Sequence, residues 1–510
     1  MVHGSLSLPE PGKVSLKEKE KKYLDLITGE QLGDRALWSR FVSVFFTKED
    51  SDDRGWRGEY WGKAMRGACL TYRCTADGEL YDILLDSVRQ LIACAEEDGR
   101  ISSYRRENEC SGWDVWCRKY VLTGMLHFVD ICRDGELREE LLDAMEKHVD
   151  RLMEKVGDGA GKIPVTETSD FWLGVNSCSI LESVLDLYKR RRKKRFLDFA
   201  EYIISTGGCA GGDLIALALE DKTPPYLYPE NKAYETMSFF EGVLAYYEVT
   251  GKRKYLDAVL RFAEKTFETE ITLIGCAGCA HEQFDNAAAR QCEKRDTLMQ
   301  ETCVTVTWMR LCARLFLLTG EEKYARRVEI SALNALYGSV NVDAYPITME
   351  KTGEKIPGLP FDSYSPLFYG RRGLGVGGLK YFSDGAFYGC CAAIGAAGLA
   401  LYPLIRSLMR MSDGDYTLEE HRLGGKTAFT YGPYALARDE AKEDGDILAP
   451  VKPAYESGRP VYELMTPHSG ESVRLLLKTK QGEVLLTDYA SCGREPESER
   501  DRLTVWMPAE

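Results

Sequence analysis

Two kinds of helical pattern alternate along most of the chain. In the first, apolar residues such as Trp308, Leu311 and Leu315 recur at helical spacing among few charged residues, which predicts a helix buried on most sides. In the second, exemplified by the stretch after Tyr255, apolar positions on one face alternate with charged positions on the other. This second pattern predicts a half-exposed helix.

A short turn followed by a new helix recurs through this helical part. The turns end at Tyr81, Arg138, Phe196, Tyr255 and Tyr324. The steps between them are 57, 58, 59 and 69 residues, long enough for two helices and their connections, so the repeating unit is predicted to be a helical hairpin. Together with a sixth hairpin, from residues 15–46 or around residues 395–411, these hairpins would form an inner and an outer ring. We therefore expect an (α/α)6 barrel.

The pattern changes near residue 412. Short apolar or alternating runs, separated by Gly, Asp and Pro, occur at 427–431, 461–464, 473–477 and 484–487. Such runs predict antiparallel strands. We expect a mainly α chain, with an (α/α)6-barrel catalytic domain over residues 1–411 followed by a small antiparallel β-sandwich over residues 412–510.

Composition and charge narrow the classes of partner. The 510 residues include 66 basic and 80 acidic side chains, a net charge of −14 that disfavours nucleic acid and anionic membranes as partners. Residues 1–13 contain no apolar run typical of a secretory signal, and the apolar run 392–405 ends at Arg406. The 16 cysteines are irregularly spaced, unlike a secreted disulfide framework. We therefore expect a soluble, cytoplasmic protein with reduced thiols, and we also consider a homodimer.

Three thiols and one carboxylate form the strongest candidate for a metal site. Glu301 and Cys303 stand at the start of an apolar helix, and the vicinal pair Cys390 and Cys391 follows later. Thiolates with a carboxylate suit Zn²⁺. Residues two apart on a helix point in different directions, so Glu301 and Cys303 can converge only where the regular helix has not yet begun. Spacing alone favours the alternative that these cysteines are small packing residues.

Few other residues suggest acid–base or redox chemistry. Cys276 and Cys279 have CxxC spacing, but no second CxxC or histidine pair lies near them, so a tight turn is the better interpretation. His281 and Glu282 follow a strand-like run, 270–274, and are either general acid–base residues or part of a solvated loop. The remaining histidines lack partners, which leaves a Ser-His-Asp or multi-histidine metal site poorly supported.

Two aromatic-rich segments, 56–63 and 112–120, lie just before apolar helices of the repeat. Connections at that position border the central pocket of a toroid. Trp and Tyr beside Asp, Arg and Lys suit a sugar, because its ring offers both an apolar face and hydroxyls. The alternative is that these tryptophans anchor the core.

Taken in order, these features resemble the glycoside hydrolases of family 127, the β-L-arabinofuranosidase family. The resemblance covers most of the chain. It rests on the Glu282 turn, on Glu301 with Cys303, on the segment 329–334, on Gly389 with the Cys390-Cys391 pair and on the segment 432–437. A Glu-x-Cys followed by Cys-Cys inside a helical repeat is a specific pattern. The chain departs from the family at Ala392-Ala393, where prolines are usual, and at 114–119, where pocket histidines are usual.

The resemblance implies roles for these residues. Glu301, Cys303, Cys390 and Cys391 would hold a zinc ion, with Cys390 as the nucleophile and Glu282 as the acid/base. The implied activity is retaining hydrolysis of a terminal β-L-arabinofuranoside-like sugar in a small oligosaccharide or glycoside. Substrate contacts are expected at loop or inner-helix positions, namely Asp114, Lys119, Asn176, Ser177, Tyr234, Glu235 and His281.

Two other functions are weighed against hydrolysis. A sugar epimerase or isomerase is compatible with an (α/α)6 barrel, but it needs histidine bases, and few histidines lie near the loops. A non-catalytic carbohydrate-binding protein with a structural zinc would bind glycans without cleaving them. Turnover of an aryl glycoside to free phenol distinguishes the hydrolase from both alternatives.

Overall fold

The structure is a computed structural model of the chain. It describes residues 4–272, 274–277, 282–290, 301–342, 344, 346–349, 352–361, 374–375 and 378–409, and eight strands between residues 418 and 505.

Helices dominate the described part of the chain up to residue 409. In chain order they are α1 (Glu18–Ile27), α2 (Arg35–Thr47), α3 (Asp50–Asp53), α4 (Gly58–Thr75), α5 (Gly78–Ile92), α6 (Asp114–Val129), α7 (Gly135–Lys155), α8 (Val175–Cys178), α9 (Leu181–Arg191), α10 (Lys194–Ser205), α11 (Leu214–Glu220), α12 (Ala233–Thr250), α13 (Arg253–Glu270), α14 (Ala287–Arg290), α15 (Thr302–Thr319), α16 (Glu322–Ile330), α17 (Tyr337–Ser339) and α18 (Cys390–Arg406).

Six of these helices form a closed inner ring. Helix α4 packs against α6, α6 against α9, α9 against α12, α12 against α15, α15 against α18, and α18 against α4. Helices α5, α7, α10, α13 and α16 each follow an inner helix in the chain and pack against it from outside. The helical barrel predicted from the repeat is confirmed.

The two segments considered for the sixth hairpin each supply half of it. Helix α18 completes the inner ring, and α1 from the N-terminal part of the chain packs against α18. Gln31, in a π-helical turn after α1, donates from Nε2 to the Ala392 carbonyl at 2.9 Å. The barrel is therefore closed by two segments that lie far apart in the sequence.

Aspartate caps explain why two of the outer helices, α5 and α7, begin where the repeat predicts. The Asp77 carboxylate accepts from the N–H groups of Glu79 and Leu80, and Asp134 does the same at the start of α7. Each cap satisfies backbone donors that would otherwise lack partners at a helix start. The turn sequence thus encodes both the break and the next helix.

The inner helices pack closely because glycines face their neighbours. A Cβ atom on Gly62 would lie 1.9 Å from the Tyr120 carbonyl oxygen, and one on Gly67 would lie 2.9 Å from Ala396 Cβ. Glycine at these two positions therefore permits α6 and α18 to approach α4. One inner helix, α15, is long and apolar enough to cross a membrane by composition, but 72% of that stretch is buried inside the protein. Such burial is typical of a core helix.

Fifteen strands are described. They are β1 (Gly208–Cys209), β2 (Gly212–Asp213), β3 (Ile347–Met349), β4 (Lys355–Ile356), β5 (Leu374–Gly375), β6 (Leu379–Tyr381), β7 (Phe387–Gly389), β8 (Leu418–Leu423), β9 (Lys426–Tyr431), β10 (Tyr434–Arg438), β11 (Pro450–Ala454), β12 (Arg459–Thr466), β13 (Arg474–Thr479), β14 (Gly482–Ser491) and β15 (Asp501–Val505).

The region after residue 412 forms two antiparallel sheets. One has the strand order β10-β9-β8, and the other has the order β11-β12-β15-β14-β13. Strands are thus confirmed where the four alternating runs predicted them. The pairing of the two sheets as a β-sandwich, and a domain boundary at 411/412, stay predictions.

The strand-like run that begins at Glu270 does not form a strand in its described residues. Glu270 is the last residue of α13, and Thr272 then opens a tight turn. The Thr272 N–H donates to the Cys276 carbonyl at 3.0 Å, and the Cys276 N–H donates to Thr272 Oγ1 at 3.1 Å. The interpretation of Cys276 as part of a turn is confirmed, whereas Cys279 lies outside the described residues.

A candidate metal centre where the inner helices begin

The first turns of the inner helices meet at one end of the barrel. Acidic residues occupy several of these starts: Glu59 in α4, Asp114 in α6, Glu235 in α12, and Glu301 at the N-cap of α15. Helix N-termini carry partial positive charge, which stabilises nearby anions. This end of the barrel is therefore suited to hold negatively charged ligand atoms.

Four side chains form a compact, buried group at this end. The ligand atoms of Glu301, Cys303, Cys390 and Cys391 all lie within 4.8 Å of one another. Cys303 Sγ and Cys391 Sγ are 3.8 Å apart, and Cys391 Sγ lies 3.9 Å from Glu301 Oε1. None of the four side chains is more than 6% exposed. The structure thus brings together the four residues that the sequence predicts as ligands.

The helix starts explain how residues two apart converge. Glu301 is the N-cap residue of α15, with φ −97° and ψ 116°, so its side chain does not follow the helical direction of Cys303. Cys390 is the first residue of α18 and follows the β6–β7 hairpin. Its N–H donates to the Gly378 carbonyl at 2.9 Å. Glu301 therefore lies before the regular helix begins, as its convergence with Cys303 requires.

Two properties of this group fit a zinc ion: the types of its ligand atoms, and a buried oxygen that lacks a hydrogen-bond partner among the described residues. Glu301 Oε2 is buried and has no hydrogen-bond partner among the described residues. Burial, followed by the neighbouring Cys390, raises the pKa of Glu301 well above its usual range. A cation would supply the partner that this oxygen lacks, and three sulfur ligands with one oxygen ligand favour Zn²⁺ over Mg²⁺ or Ca²⁺.

The cysteine thiols also need a cation to ionise. Burial raises the pKa of Cys303 well above its ordinary value. Contact with Cys303 lowers the pKa of Cys390, but the Cys391 thiol and burial outweigh it, and the Cys390 pKa is raised. Metal coordination reverses this effect, because a bound cation stabilises the thiolate.

A buried ion pair on α4 borders the four ligand residues. Lys63 Nζ donates to Glu59 Oε1 at 2.7 Å and lies 3.8 Å from Cys303 Sγ. Burial by itself lowers the pKa of Lys63, but Cys303 and Glu59 raise it well above its ordinary value. A fixed positive charge therefore stands next to one of the ligand sulfurs.

Aromatic rings enclose the Lys63 ammonium. Its Nζ lies 4.7 Å from the Tyr234 ring centroid and 5.4 Å from that of Tyr120. Trp116 Nε1 donates to Glu59, and the hydroxyls of Tyr120 and Tyr234 share a hydrogen bond. The expected contact residue Tyr234 thus lies close to the ligand group, as part of an aromatic wall.

Lys119 lies on the same wall but deeper in the barrel. Its Nζ donates to Ser179 Oγ at 3.1 Å and lies 4.3 Å from the Trp116 ring centroid. Burial lowers the pKa of Lys119 to about 7. The nearby Glu182 and Glu241 raise this pKa, but they offset only part of the lowering caused by burial. The Lys119 ammonium thus has a hydroxyl and a ring face as its close neighbours.

Glu282 is held beside the start of α12. Its backbone adopts the left-handed region, with φ 67°, and its carbonyl accepts from the Ala233 N–H at 2.9 Å. Its carboxylate forms an ion pair with Lys232, whose Nζ lies 4.4 Å from the Trp172 ring centroid. The loop is thus tied to α12 through backbone and side chain, and a cation accompanies the expected acid/base carboxylate.

Glu270 anchors the residues that follow Glu282. Glu270 Oε2 accepts from the backbone N–H groups of Asp285 and Asn286, both at 2.9 Å. Burial raises the pKa of Glu270 to about 7, against the effect of these hydrogen bonds. The end of α13 therefore fixes the turn that presents Glu282.

The other predicted contact residues have different surroundings. Asn176 and Ser177 are buried at the start of the inner ring's α8–α9 segment, and Ser177 Oγ has no hydrogen-bond partner among the described residues. Glu235 is also buried with an unpartnered Oε2, and burial raises its pKa although Lys232 lowers it. His281 lies outside the described residues.

Asp114 points away from the ligand group. Its carboxylate accepts from Ser102 Oγ and from the Cys110 N–H, the latter at 2.8 Å, and Arg100 lies 3.9 Å from it. These contacts occupy both oxygens. Its substrate-binding role stays a prediction, and the contacts that the structure gives it are those of a residue that fixes the loop before α6.

Sequence reasoning missed Lys63, Glu59 and Lys232 as parts of the site. Glu59 and Lys63 lie within the aromatic-rich segment noted above, four residues apart in an inner helix. Charged residues at that spacing in a helix that is otherwise buried need partners inside the protein, and this is the signal that could have identified them. Lys232 has no comparable signal, because its partner lies in a distant loop.

Comparisons with known proteins bear on the family and the fold of the chain. A family model described as beta-L-arabinofuranosidase, GH127 catalytic domain, matches residues 23–364. A GH127 beta-L-arabinofuranosidase from Geobacillus stearothermophilus T6 is similar in structure, with a TM-score of 0.55 and 16% identity over 97% of this chain and 80% of that chain. The GH127 beta-arabinofuranosidase BT3674 is similar at a TM-score of 0.51 and 15% identity, over 98% of this chain and 78% of that one. No curated protein matches the sequence.

The two structural similarities show a shared fold, whereas the family model identifies the family to which the chain belongs. Its matched range contains Glu282, Glu301 and Cys303 and ends before the Cys390-Cys391 pair. That range is well over half of the 510 residues. The chain therefore belongs to the GH127 β-L-arabinofuranosidase family and is a glycoside hydrolase.

Proposed function

We propose that this chain is a retaining glycosidase that releases a terminal β-L-arabinofuranoside-like sugar, with Cys390 as nucleophile and Glu282 as acid/base. The observation that carries the proposal is the convergence of Cys390 with Glu301, Cys303 and Cys391 in one buried group. A nucleophile needs to be ionised and aimed, and its place in a ligand group at a helix start serves both needs.

Zinc is the proposed cofactor, held by Glu301, Cys303, Cys390 and Cys391. When bound, it supplies the positive charge that keeps the Cys390 sulfur a thiolate at neutral pH. Cys390 is the least buried of the four at 6% exposure, whereas Cys391 is fully buried. This difference supports Cys390, rather than Cys391, as the sulfur that meets a substrate.

The proposed reaction has two displacements at the anomeric carbon. In the first, Cys390 Sγ bonds to that carbon, the bond to the leaving oxygen breaks, and Glu282 gives this oxygen a proton. In the second, a water oxygen bonds to the carbon, the carbon–sulfur bond breaks, and Glu282 takes the proton from water. Two inversions give net retention.

Glu282 needs a proton before the first displacement, and its carboxyl group lies beside the Lys232 ammonium. The Lys232 ammonium forms an ion pair with the Glu282 carboxylate, an arrangement that suits the second displacement, where Glu282 acts as base. Glu235, buried and with its pKa raised by that burial, is the alternative acid on the same side of α12. Substrate contacts are proposed for Lys119, Asn176, Ser177, Tyr234, Glu235, Asp114 and His281.

A cytoplasmic location is proposed from the thiols. In the part of the chain that the structure describes, thirteen cysteines are buried and none forms a disulfide. A reducing compartment preserves such thiols, and the ligand group in particular.

The test combines turnover, stereochemistry and metal content. The protein as purified is expected to release phenol from an aryl β-L-arabinofuranoside, to form a first sugar product of retained configuration by NMR, and to contain about one zinc per chain by elemental analysis. An inverted first product would remove Cys390 from the nucleophile role. Glycan binding without turnover of any aryl furanoside or pyranoside would instead identify a carbohydrate-binding protein.

A further inference from the structure

The proposed function leaves one buried charged residue next to the ligand group without a role. Lys63 is 1% exposed at its side chain, and its ion-pair partner Glu59 is 4% exposed. The Lys63 ammonium lies 3.8 Å from Cys303 Sγ, a residue 240 positions away in the chain. Burying a lysine is costly unless its charge is used, so this placement needs a physical reason.

We propose that Lys63 is a positioning residue of the zinc centre, whose fixed positive charge offsets the excess negative charge of the ligand set and holds the Cys303 thiolate in its coordinating orientation. The inference rests on the proposed function, because it requires that zinc is bound by the four ligands.

Charge balance supports this role. Three thiolates and one carboxylate around Zn²⁺ leave the group with a net charge of −2 in a buried site. Such an excess is unfavourable away from water unless positive charge lies close by. Helix N-termini supply part of it, and Lys63 places a positive charge 3.8 Å from Cys303 Sγ, which its Glu59 partner offsets in part.

The surroundings hold the ammonium in place. Its Nζ lies 4.7, 5.4 and 6.0 Å from the ring centroids of Tyr234, Tyr120 and Trp116. Glu59, one helical turn earlier, accepts from Lys63 with one carboxylate oxygen and from Trp116 Nε1 with the other. Lys63 is thus fixed between the rings, Glu59 and Cys303, and cannot turn toward water.

The opposite charges of Lys63 and Glu59 permit a test that separates charge from packing. If Lys63 acts by its charge, then Lys63→Met weakens zinc binding, because the neutral side chain fills the same space without offsetting the thiolates. Glu59→Gln keeps an oxygen to accept from Trp116 or Lys63, yet removes a negative charge near the site. This second variant is expected to bind zinc as tightly as the parent chain or more tightly.

The experiment measures Zn²⁺ dissociation constants for the full chain by chelator competition at one pH. Lys63→Met is expected to raise the constant by at least about tenfold, Glu59→Gln to leave it unchanged or lower it, and the double variant to fall between. Co²⁺ substitution gives a second readout. The thiolate-to-cobalt charge-transfer band should move to longer wavelength in Lys63→Met, because loss of the ammonium raises the energy of the sulfur electrons.

The outcomes separate the inference from the function on which it rests. Equal weakening in both single variants would mean a packing role, and an unchanged constant in Lys63→Met would mean no role; either result overturns the proposal. If Lys63→Met does not fold, weaker binding in Glu59→Gln still contradicts it. A parent chain that binds no zinc would refute the proposed metal centre itself, whereas a parent chain with one zinc and insensitive variants would refute only the part assigned to Lys63.

Discussion

Where the inner helices begin, buried polar atoms remain without hydrogen-bond partners among the described residues, as Glu301 Oε2 and Glu235 Oε2 show. Further along the barrel, from the middle of α12 and α15 onward, charged groups meet one another instead. Arg310 donates to Glu241 at 2.8 Å and to Glu182 at 3.0 Å, and Arg314 donates to Glu182 at 2.6 Å. Arg310, Arg314 and Glu182 also line a cavity of about 480 Å³.

The helix direction helps to explain the difference. Helix starts favour anions and helix ends favour cations. Glu59 and Glu235 lie in first turns, whereas Lys189 and Arg190 lie in the last turn of α9. Both ends of the barrel therefore follow the same electrostatic rule, and what differs is the neighbours. Glu241 Oε1 also lacks a hydrogen-bond partner among the described residues, but the Glu241 carboxylate is paired with Arg310, whereas Glu301 lies beside thiols.

Unsatisfied acceptors beside thiols indicate a place built for an ion or substrate, because the folded chain alone gains nothing from them. Paired charges at the other end stabilise the barrel once they are buried, because removal of either partner leaves the other uncompensated. The comparison thus predicts that equivalent substitutions abolish activity at one end and lower the free energy of unfolding at the other.

The largest effect is expected from Cys390→Ala. Loss of the proposed nucleophile should lower kcat for every leaving group by at least about a thousandfold. Cys312→Ala is the matched control, since Cys312 is also a buried thiol and lies on α15 outside the ligand group. Measurement of kcat on an aryl glycoside decides the matter. Near-normal turnover by Cys390→Ala would show that Cys390 is not the nucleophile and would contradict the predicted difference between the two ends of the barrel.

Arg310→Met should affect stability instead. It leaves the Glu241 carboxylate buried without its cation, while Glu182 keeps Arg314, and the loss should lower the free energy of unfolding by about 3–5 kcal/mol. The control is Arg35→Met at an exposed pair, where Arg35 lies 2.8 Å from Asp86 and a loss of about 1 kcal/mol or less is expected. Denaturant unfolding measures both variants. Similar small losses would show that the buried network does not stabilise the barrel.

Glu282→Gln sharpens the assignment of the acid. For a poor leaving group, loss of proton transfer should lower kcat/KM by about a hundredfold or more. For an aryl substrate whose phenol leaves without a proton, the first displacement should be nearly unaffected. A series of aryl leaving groups measures the difference. Equal losses across the series would point to another carboxylate, such as Glu235 or Asp285.

The smallest effect is expected at Glu270, which anchors the segment after Glu282. Burial raises its pKa to about 7, above the ordinary value of 4.5. The folded protein therefore holds this proton more tightly, and the associated stabilisation is full below pH 4.5 and lost as the pH rises through 7. Glu270→Gln, which cannot ionise, should lose less Tm between pH 5 and pH 8 than the parent chain. Parallel Tm profiles of the two proteins would contradict this.

The sequence by itself determined most of the elements and the four candidate ligand residues. Hydrophobic period and turn residues are local properties, so the helical hairpins and the strands at 426–431 and 482–491 follow from them directly. The candidate ligands were recognisable through a motif, Glu301 with Cys303 and then Cys390 with Cys391, because thiols and carboxylates are the side chains that suit a metal such as zinc. Spacing alone favoured a packing role for these thiols, because convergence of distant segments is not a local property.

Only the tertiary structure decided which side chains meet. Closure of the ring by α1 against α18, the contact of Lys63 with Cys303 and the ion pair of Lys232 with Glu282 each join segments far apart in the chain. Such pairings depend on how helices pack across the barrel axis, and residue patterns within one helix do not specify which neighbour a given face will contact.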